Sequence, residues 1–291
     1  MLLSMWTSIL VELKPVDAIR ALADLGWPAL EFSTEHLVNV EQADDPEAAA
    51  NEVREVVEEL GLFMSQAHLL LGGNVAAADD EVRERDLATF ERHIDLCARM
   101  GVEVGVIHPG GDRPATLEEE RAERARRIEG FSRLAGFAAE RGFALAVENM
   151  CDRERAARGA LGQRTYGSTI PELHELIDAV GAPNMGICLD VGHGNVQGLD
   201  MAESIRQCGR RLIATHIQDN DGTRDQHLAP PRGTIDWKAG IGALRDLDYE
   251  GIFNLEVPGE RGLPPELMLP RIAAIHATTT WLLKCEEEGN P

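Results

Sequence analysis

Short apolar runs recur along the chain, each closed by turn residues and followed by a longer stretch of helical periodicity. Eight stand out: residues 5–9 (MWTSI), 28–32 (PALEF), 62–67 (LFMSQA), 102–107 (VEVGVI), 143–147 (FALAV), 185–189 (MGICL), 212–217 (LIATHI) and 252–257 (IFNLEV). Their lack of strict alternation fits parallel strands buried on both faces. The intervening segments, such as DPEAAANEVREVVEEL from Asp45 and SRLAGFAAERG from Ser132, predict amphipathic helices. Thr116 with Glu119 fits a capping box, and Ser168 or Thr169 precedes a proline in a first turn. Glycines in ELG and RGF stand where helices should stop.

Eight strand–helix units predict an α/β protein, a single (β/α)8 TIM barrel domain over residues 1–291. An open doubly wound sheet is the alternative, but no GxGxxG turn follows the first strand. No stretch is long and apolar enough to span a bilayer. The first residues lack the basic flank and small-residue cleavage site of a signal peptide. Five cysteines without CxxC spacing fit reduced thiols, so a cytoplasmic location is expected. A net charge of −22 argues against a nucleic-acid partner. Only three lysines occur (Lys14, Lys238, Lys284), none in a predicted strand, which disfavours Schiff-base chemistry.

In a TIM barrel, chemistry gathers at the C-terminal ends of the strands. Strand 3 runs into His68 and strand 4 into His108. Strand 5 ends at Glu148, and strand 6 at Asp190 with His193 in the next turn. Strand 7 carries His216, its loop adds Asp225 and His227, and strand 8 carries Glu256. A lone histidine in such a place is more often a hydrogen-bonded structural group than a ligand. Three carboxylates and a histidine on four successive strands are harder to explain that way. Unpaired, Glu148, Asp190 and Glu256 would repel one another and lose their hydration. A divalent cation held by Glu148, Asp190, His216 and Glu256 removes the conflict. Such mixed ligation suits Mn2+ or Zn2+ first, then Co2+ or Fe2+, with Mg2+ last. The glycines of LDVGHGN are expected to let the backbone turn sharply and return His193 to the same cavity.

The motifs SQAH, VIHPGG, VENM, LDVGH, THIQDN, DQHLAPPRGTIDW and NLEVPG, in this order over most of the chain, resemble the xylose-isomerase-like TIM-barrel superfamily. That superfamily includes sugar phosphate isomerases and epimerases and the endonuclease IV-related AP endonuclease family 2. The resemblance implies that Glu148, Asp190, His216 and Glu256 bind one metal. It also implies that Glu148 and Glu256 are the acid–base pair, as in ketose epimerases. In the nuclease branch nine positions hold three zinc ions, and His68, His108, His193, Asp225 and His227 would be the other five.

The function expected is that of a metal-dependent isomerase or epimerase of a small sugar, keto-sugar or keto-polyol. It would abstract a proton beside a carbonyl and pass through an enediolate that the metal stabilises. Glu148 and Glu256 would serve as base and acid. His193, His68, His108 and Trp6 would contact substrate, and Trp237 is a second candidate for the pocket wall, with core and helix-start packing an equal alternative for both tryptophans. Cys151 has no activating neighbour in sequence and receives no role. The diglycines of LGGN and HPGG fit plain turns as well as phosphate approach. Segment 149–167, with four arginines, reads as a solvated loop. The alternatives are an endonuclease IV-like AP endonuclease, an inosose-type dehydratase, and a barrel that binds metal and ligand without turnover. The expected partner is a small carbohydrate, without nucleic acid or membrane, and homo-oligomerisation stays open.

Overall fold

A computed structural model describes residues 1–111, 114–151 and 165–285. The strands are β1 (Leu2–Trp6), β2 (Ala29–Phe32), β3 (Phe63–His68), β4 (Val104–Ile107), β5 (Ala144–Glu148), β6 (Met185–Asp190), β7 (Leu212–His216) and β8 (Ile252–Leu255). The helices between and after them are α1 (Pro15–Asp24), α2 (Thr34–Glu41), α3 (Pro46–Glu59), α4 (Asp80–Arg99), α5 (Leu117–Ala139), α6 (Ile170–Val180), α7 (Val191–Gln197), α8 (Met201–Cys208), α9 (Trp237–Asp246) and α10 (Pro265–Cys285).

Every paired strand is parallel, in the order β7-β6-β5-β4-β3-β2-β1-β8. The ring closes just beyond β7. There Ile217 bridges Leu255, its N–H donates to the Asn254 carbonyl at 2.7 Å, and the Glu256 N–H donates to the Ile217 carbonyl at 3.0 Å. This is the expected barrel, and the closure rules out the open sheet.

Side chains alternate across each strand, so each strand serves two cores. Leu30, Phe32, Leu145, Val147, Ile187, Leu189, Phe253 and Leu255 join the large cluster under the helices. Val106, Ala146, Cys188 and Ala214 form a small separate cluster inside the ring. Helix α1 shows how the shell attaches: Ala18, Ile19 and Leu22 are fully buried on one face. Burying Ile19 and Leu22 stabilises the fold by about 1.5–3 kcal/mol each, and Leu22→Ala should cost about 2–5 kcal/mol.

The capping box at α5 forms as expected, with Thr116 Oγ1 accepting from Glu119 N. Thr169 is the N-cap of α6, but its side chain makes no capping bond. The main departure is at the start. The first strand ends at Trp6, and Thr7–Leu10 form a 3-10 turn instead of strand. Thr7 Oγ1 accepts the Ser33 N–H at 2.9 Å, which ties this turn to the end of β2. Residues 7–10 are all buried, so the apolar run continues past the strand and hides its end. Among the described residues, no helix is long and apolar enough to cross a membrane.

Candidate metal and active site

Trp6, Glu31, His68, Glu148, Asp190 and His216 lie in the last two residues of their strands, while His108 and Glu256 follow β4 and β8 directly. Register levels them: Glu148 pairs with Cys188, and Asp190 with His216. Donor atoms of Glu148, Asp190, His216 and Glu256 all lie within 4.8 Å of one another, and all four residues are buried. His216 Nδ1 is 3.1 Å from Glu148 Oε1 and 3.5 Å from Glu256 Oε1.

The five further histidine and aspartate residues join two edges of this cluster. His68 Nε2 and His108 Nε2 approach Glu148 Oε2 at 3.5 and 3.2 Å. On the other edge, His193 Nε2 and His227 Nε2 approach Asp225 Oδ2 at 3.4 and 3.0 Å. The other nitrogen of each of these two rings is 2.8 Å from the Asn149 carbonyl (His193) and 2.9 Å from the Glu256 carbonyl (His227). Cys151, given no role from sequence, has its sulfur within 4.8 Å of donor atoms of His193 and Asp225.

Residue Asp190 does two jobs. Its Oδ1 accepts the His193 N–H at 2.7 Å, so it caps α7 while its carboxyl stays in the cluster. The expected sharp glycine turn after Asp190 is a short helix instead. Gly192 is needed there for space: a Cβ would lie 2.1 Å from the Gln218 side chain. In HPGG the glycines serve a turn, with Gly111 N donating to Asn74 Oδ1 at 2.7 Å and φ at +116°. The buried Arg127 holds the Pro109 and Gly110 carbonyls at 3.1 Å each.

Electrostatics inside the mouth are those of crowded acids and bases. Burial opposes charge on His216, but Cys188, Glu256, Glu31 and Glu148 outweigh it and raise its pKa well above the ordinary value. His193 is likewise raised well above, with burial overcome by Asp190, Asp225, Cys151 and Glu148. His227 is pushed up to about 10, burial being outweighed by Asp225 and Glu256. Glu256 is pushed up to about 8, chiefly by burial, with repulsion from Glu148 and Asp190 adding to it and His216 and His227 opposing it. Glu148 goes the other way, because three imidazoles outweigh its burial.

A divalent cation suits this set. Among the described residues, Glu148 Oε2 and Glu256 Oε2 are buried and make no well-directed hydrogen bond; imidazole nitrogens only approach them, at 3.2 Å or more. Leaving such oxygens unmatched costs about 1–3 kcal/mol each, more when charged. Carboxylate and imidazole donors are what Mn2+ and Zn2+ take.

Trp6 ends β1 and is 6% exposed, and its indole N–H has no hydrogen-bond partner among the described residues. Trp237 takes the helix-start alternative and not the wall. It starts α9, donates to Asp219 Oδ2 at 2.9 Å and packs edge-on to Phe253, so it holds the β7–α9 loop. The arginines of segment 149–167 lie outside the described residues.

Reading strand ends from sequence passed over Glu31, Asn149 and Gln218. Glu31 stands 3.0 Å from His216 Nε2. Asn149 exchanges two 2.8 Å hydrogen bonds with the Asp190 backbone. Gln218 donates to Asp225 Oδ1 at 2.6 Å. Applying the strand-end test to strand 2 would have found Glu31. Asn149 directly follows Glu148 and Gln218 lies two residues past His216, but neither carries a charge signal.

The family described as xylose isomerase-like TIM barrel matches residues 19–285. The chain belongs to this family. Among its relatives, D-psicose 3-epimerase of Enterocloster bolteae is 26% identical over 248 residues, covering 84% of this chain and 75% of that protein. A probable endonuclease 4 of Thermoplasma acidophilum is 24% identical over 229 residues, 74% of each chain. A Methanocaldococcus jannaschii protein, MJ1311, is 26% identical over 63% of this chain. The chain spans only 60% of that relative's length. A solved D-tagatose 3-epimerase-like protein superposes with a TM-score of 0.81 at 20% identity, covering 99% of each chain, which is a likeness of fold.

Proposed function

We propose that the protein is a divalent-metal-dependent epimerase or isomerase of a small ketose or keto-polyol. One observation carries the reading: Glu148, Asp190, His216 and Glu256 converge at the barrel mouth, and a buried carboxylate oxygen of each glutamate makes no hydrogen bond among the described residues. The D-psicose 3-epimerase relative supports the reaction class.

The quartet would hold the ion, which when bound polarises a carbonyl and offsets negative charge on adjacent substrate oxygens. Glu148 and Glu256 reach the cluster from strands β5 and β8. One removes the proton from the carbon beside the carbonyl, and the other returns a proton to the opposite face. Asp190 and His216 hold the arrangement in place. His193, His68 and His108 offer hydrogen bonds to substrate oxygens, and Trp6 offers an apolar wall with an N–H donor. The test is turnover of a ketose panel in deuterated water. Epimerisation with solvent deuterium entering the epimerised carbon is expected. Transfer of label within the molecule, or no turnover of any ketose, overturns the proton-transfer reading.

A second reading has its own support. His68 and His108 gather on Glu148, and His193 and His227 on Asp225, which is donor capacity for more than one cation. With the endonuclease 4 relative, this favours metal-dependent phosphodiester hydrolysis. The net charge of −22 weighs against a DNA substrate. Incision of an abasic-site duplex at physiological salt, abolished by chelation, would replace the first reading with the second.

A further inference from the structure

We propose that Glu31 is a positioning residue that sets which nitrogen of His216 faces the metal. The inference rests on His216 being a metal ligand, as in the proposed function. Glu31 is fully buried inside the barrel, near the end of β2. Its Oε1 lies 3.0 Å from His216 Nε2. Its Oε2 accepts from Asn254 Nδ2, and Asn254 Oδ1 in turn accepts from Ser4 Oγ at 2.9 Å.

This chain of bonds has a direction. The Ser4 hydroxyl engages the Asn254 oxygen, which turns the amide NH2 toward Glu31. With one oxygen taken by Asn254, Glu31 presents the other to His216 Nε2. A neutral imidazole carries one N–H, and Glu31 can only accept, so that proton belongs on Nε2. The Nδ1 lone pair then faces Glu148 Oε1 at 3.1 Å and Glu256 Oε1 at 3.5 Å. Lone pair against carboxylate is repulsive unless a cation lies among them. Glu31 meets the ring at Nε2, the nitrogen opposite the one that faces Glu148 and Glu256. Its work is to hold the ring and to make Nδ1 a stronger donor, the usual effect of a carboxylate behind a ligating histidine.

The test uses full-length protein stripped of metal and titrated with Zn2+ or Mn2+. Glu31→Gln cannot accept from both Asn254 and His216, so Kd should rise about 10- to 100-fold, and more in Glu31→Leu. The melting temperature of metal-free Glu31→Gln should stay close to wild type, which separates positioning from folding. In the zinc-loaded wild type, nitrogen-15 spectra should show His216 with metal on Nδ1 and a hydrogen-bonded proton on Nε2. Tight binding by wild type with an unchanged Kd in Glu31→Gln overturns the role of Glu31 and leaves the metal reading standing. Zinc on Nε2 overturns it as well. Failure of wild type to bind either ion overturns both. Should Glu31→Leu not fold, Glu31→Gln alone decides.

Discussion

The nine histidines divide between two regions, the barrel mouth and the helical shell. In the shell, His36 is fully buried and fully matched as a neutral ring. Its Nε2 lies 3.2 Å from the Leu13 carbonyl, and its Nδ1 is 2.9 Å from the Thr7 hydroxyl. Burial lowers its pKa, as it lowers those of His93 and His276. In the mouth, both nitrogens of His216 face carboxylates. No neutral tautomer satisfies both, and its pKa is raised well above the ordinary value. Residue type and depth are alike in the two places. What differs is the acceptor count around the ring, and a surplus of acceptors is what a cation balances.

The largest expected effect that tests this division is on metal content. Asp190→Ala should lose the quartet ion entirely, at the cost of a helix cap worth about 1 kcal/mol. His93→Gln should keep full metal. Elemental analysis after dialysis checks both, and full metal in Asp190→Ala would break the comparison. Next comes catalysis. Glu148→Gln and Glu256→Gln keep an oxygen that can coordinate but cannot accept the proton. Each should lose at least about a hundredfold in kcat with substantial metal retained. A metal-loaded, nearly fully active Glu256→Gln enzyme would remove the proposed acid–base pair.

Acid should then act on the two regions by different routes. His36 and His93 have folded pKa values below the ordinary 6.5. The unfolded chain therefore binds protons that the folded chain refuses. Stability from these groups is present above about 6.5 and is lost as pH falls through it. Urea unfolding at several pH values should show this slope, and His93→Gln should flatten it. In the mouth, the surrounding carboxylates outweigh burial and raise His216 well above its ordinary value, so it must shed a proton to ligate. Metal affinity should therefore weaken as pH falls, with proton release on binding measurable by calorimetry in different buffers. A pH-independent Kd would contradict the picture. The smallest effect belongs to the shell alone. His36→Gln should cost about 1–3 kcal/mol through unmatched buried bonds, with metal affinity unchanged.

Much of this arrangement was legible in the chain. The eight apolar runs mark the eight strands, and Glu148, Asp190, His216 and Glu256 were found by asking what ends each run. Local signals carried that far because pleat, capping and turn chemistry act over a few residues. Where local signals were ambiguous the reading slipped. Apolar residues past Trp6 continued the first strand on paper and form a 3-10 turn in the fold. Trp237 fits a pocket wall and a helix start equally well in sequence, and in the fold it starts α9 and anchors Asp219.

The sequence by itself determined the strand count, the barrel and the donors carried at its mouth. Only the tertiary structure decided which donors meet. Glu31 touches His216 across 185 residues and Asn254 across 223. Those contacts depend on ring closure through Ile217 and on a register that puts Asp190 opposite His216. Register and closure are set by the packing of all eight strands together. One carboxylate in a run such as ALEF therefore reads the same whether it faces water or lies beneath the site.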